Sequence, residues 1–241
     1  MLSQSARVTS LASFSVALLV LAGSLLSGVC SAAMILGDAI PLSELVDNPG
    51  AAVQVGDKLF TVFTYHSTGD MPAASGVNVI PIEDDLGNFG IRFQGAFVDV
   101  PSSQGGSDAL ITYDVEVTDP LRLISDAHLI GNPALLGDFG SISVTETFLP
   151  LGNNGEYTLT IFDDESLPNP VLAAWVDFIP PVRKLSVQKD ILAIATQNSQ
   201  TATLSFVDQT YSQIIIPEPV SILLLLTSSV GLIRVTRRRA R

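Results

Sequence analysis

The segment ALITYDVEVT, residues 109–118, places Ile111, Tyr113, Val115 and Val117 at alternate positions, with Thr112, Asp114, Glu116 and Thr118 between them. Side chains of an extended strand point to opposite faces in turn, so this segment has one apolar and one polar face. That is the pattern of a strand with one side on a core and the other in water. A helix would scatter the same residues around its axis. The pattern recurs in SISVTETF (141–148), where Ile142, Val144 and Phe148 share a face, and in EYTLTIF (156–162), where Tyr157, Leu159 and Ile161 do. Asn153, Asn154 and Gly155 lie between these two segments and tolerate the positive φ of a tight reversal, so the two are expected to form a hairpin. Further strand candidates are 54–65, with Gly56 and Asp57 as a bulge or turn, then 77–82, 89–98, 185–196 and 201–207. Helical periodicity is confined to short stretches at 41–46 and 121–125. Strands of this number, separated by Gly, Pro, Asn and Asp clusters, predict an all-β fold: a single antiparallel β-sandwich, jelly-roll-like or Greek-key.

Two charged residues interrupt the apolar faces. Glu146 falls in phase with Ile142, Val144 and Phe148, and Lys189 in phase with Leu185, Val187 and Ile191. A lone buried charge is destabilising by several kcal/mol, roughly, whereas a hydrogen-bonded opposite pair is tolerated. Either the two residues meet inside the sandwich or at its rim, or each lies at an open sheet edge facing water.

The inventory for catalysis is thin. His66 and His128 are the only imidazoles, and the chain has no HExxH, no GxSxG and no glycine-rich phosphate loop. These absences point to a non-enzymatic protein with no required cofactor and no expected metal site. Calcium is the one ion with candidate donors, because Glu83, Asp84 and Asp85 with Asn88, and Asp163, Asp164 and Glu165, offer hard oxygen atoms, although neither cluster has the spacing of a calcium-binding loop. Trp175 and Tyr65, Tyr113, Tyr157 and Tyr211 are either core residues or platforms for sugar rings.

The two ends are of a different character. Arg7 precedes an apolar stretch over 11–29 and then small residues at Ser31, Ala32 and Ala33. This order of basic, apolar and small-residue regions reads as a signal peptide over 1–32, cut by signal peptidase between Ala32 and Ala33. An uncleaved anchor has no need of the small-residue cluster, and a lipoprotein signal would want a small residue, not Val29, before Cys30. Cys30 is the single cysteine, so the mature body is expected to lack disulfides.

Charge is divided just as unevenly. Of the 24 acidic residues only Glu218 lies outside 33–216, and of the 12 basic residues only Lys58, Arg92, Arg122, Arg183, Lys184 and Lys189 lie inside it. A body so acidic repels phosphate, which excludes nucleic acid as a partner.

At the C-terminus, Pro217, Glu218 and Pro219 are followed by an apolar run over 220–233 and then by Arg234, Arg237, Arg238, Arg239 and Arg241. As a helix the run would span roughly 21 Å, short of a hydrocarbon core of about 30 Å unless Ile214, Ile215 and Ile216 extend it. The arginines belong on the cytoplasmic side, so the body is expected to face away from the cytoplasm. The prolines hold the preceding backbone extended, the form a protease or transpeptidase grips.

These three parts, in this order, resemble the PEP-CTERM sorting signal that exosortase reads in Gram-negative bacteria. The resemblance covers about 28 residues, and the short strand-like segments VGDKLF, IRFQG, SDALITY, SVTETF and SFVDQT also look like a recurrent kind of passenger in such proteins, to which no activity is attached. It implies recognition by exosortase, cleavage near Pro217 to Pro219, transient retention in the inner membrane through a C-terminal transmembrane helix, and a surface or extracellular-matrix role alongside exopolysaccharide and biofilm. The expected organisation is then signal peptide at 1–32, β-sandwich body at 33–213 and sorting signal at 214–241. A secreted carbohydrate- or calcium-binding module is the alternative for the body.

Overall fold

A computed structural model of the chain describes residues 34–101, 105–137, 140–150, 155–196 and 200–216. The signal peptide, the cleavage position at Ala32 and Ala33, the hairpin reversal at Asn153 and Asn154, the Pro217–Glu218–Pro219 motif and the terminal arginines lie outside the described residues. In chain order the elements are β1 (Met34–Ile35), β2 (Ile40–Pro41), α1 (Leu42–Val46), β3 (Ala52–Val55), β4 (Lys58–Thr68), β5 (Val77–Glu83), β6 (Phe89–Asp99) and β7 (Ser107–Val117). They continue as β8 (Arg122–Gly131), β9 (Ala134–Leu136), β10 (Gly140–Pro150), β11 (Tyr157–Asp164), β12 (Ala173–Val182), β13 (Lys184–Ala195) and β14 (Thr201–Ile215).

Every strand pair is antiparallel, and the strands fall into two sheets. One runs β1-β5-β6-β14-β8-β12, with β2 against β5 and β9 against β14; the other runs β11-β10-β13-β7-β4-β3. A single apolar cluster draws on both sheets, including Phe60, Ile111 and Val144 from one and Phe93, Leu129 and Leu204 from the other. The chain therefore folds as two antiparallel sheets over one core, as its alternation predicts. The expected hairpin forms too, with Val144 opposite Ile161 and Phe148 opposite Tyr157.

Local departures have identifiable causes. Gly56 closes the β3–β4 hairpin at φ 56°, and a Cβ there would meet the Phe89 ring at 2.2 Å, so only glycine fits both the turn and the neighbour. A separate bulge lies further along β4, where the register with β7 slips between Thr61 and Thr64 and Val62 takes φ 57°. The extra residue puts Val62 into solvent and lets Phe60 and Phe63, three apart, both reach the core.

Three expectations need correction. The stretch 121–125, expected as a short helix, enters strand β8 at Arg122, because pairing with β14 on one side and β12 on the other supplies hydrogen bonds that its weak helical pattern cannot outweigh. β12 has no counterpart among the expected strands, since Pro180 and Pro181 argue against one; it lies at the sheet edge, where prolines are tolerated. β14 continues to Ile215, beyond the expected end at 207 and past the boundary at 213. Ile214 and Ile215 pair with Leu123 and Arg122 of β8, so the strand uses two of the isoleucines that an extended membrane segment would need. Among the described residues no helix is long and apolar enough to cross a membrane.

Glu146 and Lys189 meet. They are cross-strand partners on β10 and β13, both 0% exposed, with Lys189 Nζ 2.9 Å from Glu146 Oε1. The Tyr113 hydroxyl donates to the same oxygen over 3.4 Å and lies 2.9 Å from the Tyr211 hydroxyl, which carries the polar network across to the other sheet. Burial pushes both tyrosines well above their ordinary range, so they remain neutral hydroxyls.

Candidate functional site

The outer face of the first sheet carries the most developed surface site. Strand register aligns two transverse rows there: Trp175, His128 and Thr210 in one, Asp177, Asp126 and Ser212 in the other. Trp175 is 69% exposed, which is unusual for the largest aromatic side chain, and it stands on β12, the edge strand of the sheet among the described residues.

Beside it the polar groups are held in place. His128 Nε2 lies 2.9 Å from Asp126 Oδ1 and 3.3 Å from Ser212 Oγ. Ser125 Oγ donates to Asp126 Oδ2 over 3.1 Å, and the Ser212 backbone N–H reaches Asp126 Oδ1 over 3.3 Å. The Asp126 hydrogen bond raises the His128 pKa above its ordinary value against the opposing effect of burial, with the charges of Asp126, Asp84 and Asp177 adding to the rise. Burial alone would raise Asp126, but the hydrogen bonds from His128, Ser212 and Ser125 outweigh it and hold the carboxyl below its usual range.

This pairing has a measurable pH signature. A histidine raised in the folded state stabilises the fold fully below its unfolded pKa of about 6.5, and that contribution is lost as pH rises through the higher folded value. Asp126 acts in the acid range instead, its contribution falling away only as pH drops through its depressed folded pKa. The melting-temperature advantage of the native chain over His128→Asn is therefore expected to be larger by about 1–3 °C near pH 5.5 than near pH 8.5. Thermal melts at the two pH values check this, and an equal difference at both would contradict the pairing.

Ser212, His128 and Asp126 have the composition of a hydrolytic triad and a different geometry. Serine and aspartate both contact Nε2, whereas a proton relay needs the carboxylate on one ring nitrogen and the nucleophile on the other. His66 is exposed on β4 in the opposite sheet, so the two histidines are not brought together.

Three carboxylates of the acidic clusters accept hydrogen bonds from protein donors. Asp84 Oδ1 accepts from the backbone N–H groups of Leu86 and Asn88, both at 2.9 Å, while Oδ2 accepts from Asn88 Nδ2 and Thr210 Oγ1, also at 2.9 Å. Asp164 Oδ1 accepts from Ser166 N and Oγ, and Asp163 Oδ2 from Leu135 N. Among the described residues no group of three or more His, Cys, Asp or Glu is arranged to hold a metal.

The aromatic candidates sort cleanly. Tyr113 and Tyr211 are core residues, Tyr65 donates to Pro72 O over 2.7 Å, and the Tyr157 hydroxyl donates to the Ile179 carbonyl and accepts from the Ile179 N–H. Trp175 alone among the five keeps an open ring. On the outer face of the other sheet, Thr145, Thr147, Leu149, Glu156, Gln188 and Asp190 line a shallow hollow of about 240 Å³ that has no aromatic ring.

The fold and this face define a class: an antiparallel β-sandwich presenting one open tryptophan beside a braced aspartate–histidine pair. No family model matches the chain, and no curated protein does. Among solved structures, it is similar to the enzymatically active domain of bacteriophage CBA120 tailspike protein 4, at 14% identity and a TM-score of 0.28, over 62% of this chain and 19% of that one. The chain thus spans about a fifth of the tailspike's length. It is also similar to TmCBM61 in complex with β-1,4-galactotriose, at 11% identity and a TM-score of 0.28, over 63% of this chain and 88% of that one. Overlap of this degree assigns no function, which leaves the chain's own geometry as the basis for one.

Proposed function

We infer that the body is a non-catalytic glycan-binding sandwich, exported and displayed at the cell surface or in the extracellular matrix. The observation that carries the binding role is the exposed Trp175 ring set beside Asp126, His128 and Asp177 on one sheet face. A pyranose has one face rich in C–H groups, which packs on an indole, and an equatorial rim of hydroxyls, which donate to carboxylates and accept from imidazole. Strand pairing fixes the spacing between platform and polar groups before the sugar arrives, so little ordering is needed on binding. Glycan-array binding by the purified chain, followed by titration of the best hit, tests the reading; no binding to any neutral or basic glycan would overturn it.

Delivery rests on the tail. Exosortase would recognise Pro217, Glu218 and Pro219, with 220–233 as a temporary anchor and the arginines as the stop, and exopolysaccharide would then be the available glycan. Mass spectrometry of both termini in host surface fractions is expected to find a chain starting near Ala33 and ending near Pro217 to Pro219, and Glu218→Ala is expected to leave the tail attached in the membrane fraction. A native chain that retains Arg241 would instead identify a permanent tether.

A further inference from the structure

At the centre of the sandwich an amine, an amide and a carboxyl group meet with none of them exposed. Lys189 on β13 and Gln209 on β14 come from interior strands of opposite sheets, and each is 0% exposed. Lys189 Nζ lies 3.4 Å from Gln209 Oε1 and 2.9 Å from Glu146 Oε1. Among the described residues, two atoms of the cluster find no hydrogen-bond partner, Glu146 Oε2 and Gln209 Nε2. Buried networks kept for packing satisfy their donors and acceptors. The two unsatisfied atoms here are the free carboxyl oxygen and the amide nitrogen that would leave if the lysine displaced it.

We propose that Lys189 and Gln209 become joined by an intramolecular isopeptide bond across the two sheets, with Glu146 carrying the protons. A proton passes from the Lys189 ammonium to Glu146, leaving a neutral amine and a neutral acid. The amine lone pair attacks Gln209 Cδ, forming the Nζ–Cδ bond, while Glu146 delivers its proton to the departing Nε2. The Cδ–Nε2 bond breaks, the carboxylate takes the extra proton from Nζ, and ammonia leaves. One amide replaces another, nothing is oxidised or reduced, and no further reactant is needed.

The surroundings favour each step. Burial lowers the Lys189 pKa and raises that of Glu146, each against the pull of its partner's charge, and this is the direction that yields free amine and free acid. Fixing nucleophile and carbonyl side by side replaces a bimolecular encounter, an advantage equivalent to roughly 10⁵–10⁸ M of reactant in well-aligned cases. Excluding water removes the competing hydrolysis. The product ties the middle of one sheet to the middle of the other in a chain whose only cysteine is Cys30. The proposal does not depend on the glycan-binding reading.

Peptide mapping of the full-length chain tests it. The chain is first shown to be folded by a cooperative melt, then unfolded and cut before Asp190 and Asp208, which separates Lys189 from Gln209. The expected product is a branched species containing both residues, lighter than its two parts by one ammonia and stable to boiling in detergent. Glu146→Gln is expected to slow its formation about 100-fold or more, the lower end of what a lost proton carrier removes, and so to reduce its yield. Separate peptides of unaltered mass from the folded native chain would overturn the proposal. So would a linkage placed at another lysine, including Lys58 with Gln213, and an undiminished yield in Glu146→Gln would overturn the role of Glu146.

Discussion

Glu146→Ala lowers the melting temperature by about 10 °C, corresponding to a loss of about 3–5 kcal/mol in a domain of this size. The reason lies in what remains behind. Lys189 sits at 0% exposure on an interior strand, and until it is linked to Gln209 its charge is balanced at 2.9 Å by Glu146. Removing the carboxylate leaves an ammonium, also unlinked to Gln209, in a core that includes Val144, Phe148, Val187 and Ile191. The Tyr113 hydroxyl loses an acceptor at the same time. The double variant Glu146→Leu with Lys189→Met removes both charges and fills the space with apolar atoms of similar volume, so it is expected to melt above the single variant. Thermal melts of the two variants and the native chain make the comparison. A double variant less stable than the single one would show that the pair supports the fold through something other than charge balance.

Trp175→Ala reduces glycan affinity by about 30-fold or more, since truncating a tryptophan at the centre of a contact removes about 2 kcal/mol or more of binding free energy. The fold is expected to tolerate the change, because at 69% exposure the ring contributes little to the core, and the melting temperature should shift by no more than about 2 °C. Trp175→Phe keeps a smaller ring and is expected to fall between the two. Titration calorimetry against the best array ligand, run beside melts of the same samples, separates lost binding from lost structure. Equal affinity in native chain and Trp175→Ala would move the site elsewhere, and the hollow lined by Thr145, Thr147 and Gln188 would be the next face to test.

Much of the site is legible residue by residue and not as a group. Trp175, His128 and the core pair Glu146–Lys189 stand out in the chain because each is rare or out of phase. Asp126, Asp177 and Ser212 do not, since an aspartate or serine in a strand-like segment is ordinary. They become a site only through the register of β8 with β12 and β14. The β12 strand itself is hidden by Pro180 and Pro181, although WVDF at 175–178 alternates as a strand does. Gln209 is hidden for a further reason. A single glutamine in the run VDQTY carries no signal that it points inward to meet Lys189 on the other sheet.

Side chains alternating along an extended chain are a local property, and from them the sequence alone determines most of the strands, the apolar faces that must be covered, and hence an antiparallel sandwich over one core. It also determines which polar residues break that alternation, because phase is read within each strand. The tertiary structure decided the rest. Which strand lies beside which depends on pairings between residues far apart in the chain, and the free energy of those pairings comes from neighbours that no local window contains. That is why 122–125 became a strand, why the Val62 bulge brings Phe60 and Phe63 to one face, and why a lysine, a glutamine and a glutamate from three strands share one buried contact.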